Sequence, residues 1–167
     1  DSGNFRIHYT AIGRNAVSGA DNNANNIPDY IENVSNILNF VAQKIRDEMG
    51  FFLPPGDGHY SNEYDNGGSN HFDIYVRQLS SNYYGYTQFE QYAQGNGDNE
   101  NTSEIIEKNA ITSYLTIRNN YVNFNQNSEI ENIQVTIAHE YFHSVQIGYD
   151  GWVRVLLAQI KKKYKNK

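Results

Sequence analysis

Cysteine is absent from this 167-residue chain, which excludes a disulfide framework and any thiolate metal site while remaining compatible with every compartment. No stretch approaches the roughly 20 apolar residues of a membrane-spanning helix, so no membrane span is expected. Basic residues are scarce over most of the chain. Five of the 13 Lys and Arg lie in the last seven residues, leaving residues 1–160 with 8 basic against 19 acidic side chains, a net −11. Such a body lacks the footprint that phosphate backbones require, so no nucleic acid partner is expected, whereas calcium suits it. Hydrophobic residues are also few, at 38%, and the apolar supply rests on 14 Tyr and 8 Phe, which build cores and clefts with polar rims. The length fits one ordinary domain, and neither an internal repeat nor a linker divides it, so a single domain over residues 1–167 is expected. What is abundant is Asn, 24 in all. Asn favours turns and left-handed backbone, which points to a loop-rich, β-containing protein over a helical bundle, and with the elements below the expected fold class is α+β. The sequence opens at Asp1 without a Met, which leaves a targeting segment upstream open.

Periodicity places the elements. Phe5 to Thr10, Phe72 to Arg77, Tyr83 to Phe89 and Ile111 to Arg118 alternate or carry β-favouring residues and read as strands. Tyr30, Ile31, Val34, Ile37, Leu38, Val41, Ala42, Ile45 and Met49 recur at helical spacing, predicting a helix from Pro28 to Met49 that stops at Gly50. Residues 54–70 hold two Pro and four Gly and read as a loop, as do residues 94–103, with Thr102 or Ser103 capping a short helix through Asn109. Ser128 and Glu131 match a capping box ahead of a helix ending near Gly148, with Ile130, Ile133, Ile137, Tyr141 and Val145 as its buried stripe. The basic end, Lys161 to Lys167, reads as a solvated terminus.

That last helix carries His139-Glu140-Tyr141-Phe142-His143, a match to H-E-x-x-H. Positions 139 and 143 lie one turn apart, so both imidazoles face one point, and they are the expected zinc ligands. Glu140 is the expected catalytic general base, beside the metal's open position. An accidental match is expected on the order of once in 100 chains of this composition, and the bland reading is a surface helix with two solvated His. The metzincin continuation wants Gly and His where Gln146 and Tyr149 stand, and after His143 there is no His or Glu, only Asp150. His8, His59 and His71 are read as solvated or hydrogen-bonded before they are read as ligands. A third zinc ligand is therefore missing from the pattern.

A second pattern is more specific. Asp21 to Glu32 fits D-x-[DN]-x-[DN]-G-x5-E except for Asn26 in place of Gly. The expected calcium ligands are Asp21, Asn23, Asn25, the carbonyl of Ile27, Asp29 and a bidentate Glu32. Asn is the next-best residue for the left-handed turn at position 26. The bland reading is an Asn-rich turn capping a helix. Three carboxylates suit a structural calcium ion of modest affinity.

Three segments in order, Phe5 to Thr10 with Gly13, Ala16 and Val17, then Ile27 to Glu32, then Ala138 to Asp150, resemble secreted bacterial zinc metalloproteases of the zincin, gluzincin-like type. The resemblance implies a zincin-like twisted sheet packed against an active-site helix and a second long N-terminal helix, secretion to the extracellular space, a peptide or protein substrate, and the roles above for His139, His143 and Glu140. It also implies a third ligand, a Glu on a following helix in a Trp- and Ala-containing segment. Here Gly151 to Ala158 begins similarly and then runs into lysines, so the chain reads as the N-terminal part of a longer catalytic domain with impaired hydrolysis. A strand such as Ile111 to Arg118 is expected to form the edge along which a peptide pairs. The alternative is a non-catalytic calcium-binding or surface-interaction module that keeps a relic of the zincin helix.

Overall fold

Four segments rich in β-branched and aromatic residues form one mixed sheet in the order β1-β2-β4-β3, where β1 is Phe5–His8, β2 Phe72–Arg77, β3 Gly85–Tyr92 and β4 Ile111–Arg118. The computed structural model describes residues 1–58, 66–80, 82–93, 109–122, 124 and 127–151. The expected loop at 94–103, the short helix to Asn109, His59, the segment from Trp152 to Ala158 and the basic end lie wholly or almost wholly outside the described residues. β1 pairs parallel with β2 and β2 parallel with β4, whereas β3 runs antiparallel to β4. The outcome is α+β, as expected.

The predicted strand at 111–118 is therefore interior, and the expectation that it forms a free edge is corrected. Its Val, Leu and Ile neighbours explain this: Leu115 and Ile117 are fully buried, and the strand pairs on both sides. The edges are β1 and β3. β3 also begins later and runs further than its aromatic run indicated. Thr10, expected at the end of the first strand, makes only an isolated bridge with Ala16.

Two helices cover the face presented by Phe72, Ile74, Val76, Leu115 and Ile117. α1 spans Asp29–Gln43 and continues through a π-helical turn at Lys44–Glu48, and Gly50 then takes the left-handed conformation, φ 72°, that ends it. α2 spans Glu129–Tyr149. Its capping box forms as predicted: the Glu131 N–H donates to Ser128 Oγ at 3.3 Å, and the Ser128 N–H donates to Glu131 Oε2 at 2.8 Å. Those bonds to the carboxylate hold Glu131 below the usual range. Ile133, Ile137, Tyr141 and Val145 are buried, but Ile130 is 46% exposed, because the first turn of α2 projects past the sheet. No helix among the described residues is long and apolar enough to cross a membrane.

Two buried phenols and a buried guanidinium are hydrogen-bonded within the core. Tyr30 donates to the Arg118 carbonyl at 2.6 Å, and Tyr121 lies 3.2 Å from both the Tyr84 carbonyl and Thr136 Oγ1. Burial raises the pKa of both phenols, that of Tyr121 to about 12. The Arg118 guanidinium, 4% exposed, donates to the carbonyls of Ser80, Tyr83 and Asn120 and lies 4.2 Å from the centre of the Phe124 ring. A buried cation satisfied in this way fixes the turn that leads into β3.

Candidate metal centre

The buried stripe of α2 sets the direction of everything else on it. With Ile133, Ile137, Tyr141 and Val145 turned to the core, His139 is exposed and Glu140 and His143 are half-buried on the flank. The two imidazoles meet there. Their Nε2 atoms are 3.1 Å apart, and the rings stand nearly perpendicular with centroids 4.6 Å apart. His143 Nδ1 lies 3.0 Å from Gln146 Oε1. The amide oxygen can only accept, so the proton sits on Nδ1 and the Nε2 lone pair is left for a ligand. Gln146 thus joins the candidate site, and the sequence pattern registered it only as a departure from the metzincin spacing. Its position three residues after His143 was the available signal.

Glu140 is steadied from the neighbouring sheet. Thr87 Oγ1, on the edge strand β3, lies 2.7 Å from the Glu140 carbonyl and 3.0 Å from Glu140 Oε2, so its single proton is shared between backbone and carboxylate. This requires β3 to come close to α2. Gly85 permits it, because a Cβ there would meet Thr136 Cγ2 at 2.6 Å and the Thr116 carbonyl at 2.9 Å. Thr87 is a distant partner, 53 residues from Glu140, and no local pattern announces it.

Two well-placed nitrogens fit part of a zinc site. Two ligands of a tetrahedral zinc with Zn–N of 2.0–2.1 Å stand about 3.3 Å apart. Among the described residues no group of three or more His, Cys, Asp or Glu side chains converges on one point, so this pair has no third partner of those types there. His8 is engaged elsewhere, 2.8 Å from Asp73 and stacked on Tyr75, and His71 sits 2.9 Å from Ser69.

The loop from Asp21 to Glu32 folds back on itself. Asp21 accepts from the backbone N–H groups of Asn25 and Asn26 at 3.2 and 2.8 Å, Asn23 Oδ1 from Asn25 at 3.1 Å, and Asn25 Oδ1 from Ile27 at 2.8 Å. Asn23 Nδ2 donates to both Glu32 oxygens at 3.0 Å, and Asn25 Nδ2 to Glu32 Oε1 at 2.7 Å. Asp21, Asn23, Asn25 and Glu32 are thus drawn together. Asp29 instead accepts from the Asn22 backbone and side chain. Asn26 holds φ 68°, the left-handed turn expected where the pattern asks for Gly, and Ala24 holds φ 58°. The Asn-rich turn leads directly into α1, and Pro28 stands at the cap of that helix with no side-chain cap. Compared with known proteins, the chain matches no family model, no curated protein and no solved structure.

Proposed function

We propose that this protein is a zinc-dependent endopeptidase domain of the secreted bacterial zincin type that its sequence resembles. The observation that carries the reading is the 3.1 Å approach of two Nε2 atoms on a helix whose other side is locked into the core. His139 and His143 would hold the ion, with Gln146 fixing the tautomer of His143. Zinc bound there would supply Lewis acidity and make a water acidic near neutral pH. Glu140 would take the proton from that water and pass it to the leaving amine, its carboxylate kept in place by Thr87. The outer strand β3 would align an extended peptide beside it. Catalytic zinc normally has three protein ligands, so hydrolysis by this chain is expected to be weak. A structural calcium ion in the Asp21 to Glu32 loop, on the ligands named above, completes the reading.

Metal analysis separates this from the alternative. Near-stoichiometric zinc that is lost in His143→Ala supports the peptidase. Tight calcium binding with no zinc supports a non-catalytic module. Glu140→Gln should keep the metal and lose hydrolysis, and cleavage at the parent's rate would remove Glu140 from its role. A calcium titration that leaves the melting temperature unchanged would count against the loop.

A further inference from the structure

Tyr141 lies two residues after His139 and so about 200° round the helix, on the opposite side of α2 from the imidazole pair. Its side chain is held edge-on by Phe5 and Phe72, with centroids 5.5 and 5.2 Å away, and it is 1% exposed. Among the described residues nothing hydrogen-bonds its hydroxyl. A Phe would pack equally well here, and buried Tyr hydroxyls normally find partners. The hydroxyl is not fully enclosed either, and Tyr141 lines a cavity of about 420 Å³.

That cavity has the make-up of a small-molecule site. Leu53 and Phe72 supply apolar wall, and Asn4, Ser69 and His71 supply polar groups. The His71 backbone N–H already donates to Ser69 Oγ at 3.2 Å, so the hydroxyl proton is available to His71 Nδ1 at 2.9 Å. In that arrangement Nε2 carries the ring proton and His71 is a second donor. None of the described lining residues is Lys, Arg, Asp or Glu.

We propose that this cavity binds a small uncharged molecule with an apolar ring or chain and one carbonyl or hydroxyl oxygen that accepts a hydrogen bond from Tyr141. The site is separate from the imidazole pair and needs no metal. Benzamide is a suitable probe, titrated by calorimetry into the parent and into Tyr141→Phe, with benzoate and benzylamine as charged controls. Tyr141→Phe keeps the ring and its packing, and its unchanged melting temperature would show an intact fold. The expected result is saturable benzamide binding by the parent, about five- to tenfold weaker in Tyr141→Phe, the worth of one neutral hydrogen bond. Both charged controls should bind more weakly than benzamide. Equal affinity in the two proteins, no saturable binding to the parent, or tighter binding of either charged control would overturn the proposal.

Discussion

The oxygen-lined loop and the imidazole pair are assembled by opposite means. The side chains of Asp21, Asn23 and Asn25 are satisfied locally, near the solvent, by backbone two to five residues away. The pair at 139 and 143 owes its direction to contacts far off in sequence: the sheet beneath Ile137, and Thr87 on β3 behind Glu140. A site built locally survives changes elsewhere in the fold; one built from tertiary contacts is only as firm as the packing under it.

The largest test of that contrast is Ile137→Ala. Ile137 is fully buried one turn below Tyr141, and emptying its place should cost about 2–5 kcal/mol in urea unfolding while blunting zinc uptake. Calcium binding by the loop should persist wherever the protein remains folded. Gly85→Ala comes next. The added methyl would push β3 away from Thr136, destabilising the fold by about 1–3 kcal/mol. Hydrolysis should fall more than zinc content, because Glu140 loses its partner before the histidines lose theirs. Unchanged hydrolysis would separate Thr87 from function.

The reverse test acts on the loop. Asn26→Ala places an ordinary side chain at φ 68° and should weaken calcium binding and stability by about 1 kcal/mol, whereas Asn26→Gly should match or exceed the parent. Neither should alter zinc content. The smallest effect expected is at the start of α2. Hydrogen bonds hold the Glu131 carboxyl below its ordinary range, so the stability it contributes is present above the unfolded pKa near 4.3 and is lost as pH falls through the folded value. Amide exchange in the first turn of α2 should quicken in acid, and Glu131→Gln, which removes the titrating group, should abolish that pH dependence.

How much of this was legible follows from the same contrast. The capping box at Ser128, the left-handed turn at Asn26, the stop at Gly50 and two strands to the residue depend on chemistry within a few positions, and local pattern found them. The interior placement of β4 depends on which strands pair, which no single segment encodes. Thr87 and Gly85 matter only once the chain brings β3 against α2, and Gln146 matters only once His143 needs its tautomer fixed.

The buried phenols carry a consequence for alkaline conditions. Tyr30 and Tyr121 are enclosed in the core, and burial keeps their protons on well past the ordinary range, to about 12 for Tyr121. An unfolded chain releases the same protons near pH 10, so above that point base draws the protein toward the unfolded state. After a jump to high pH, phenolate absorbance should therefore rise in two stages: surface rings at once, and these two only as fast as the core opens.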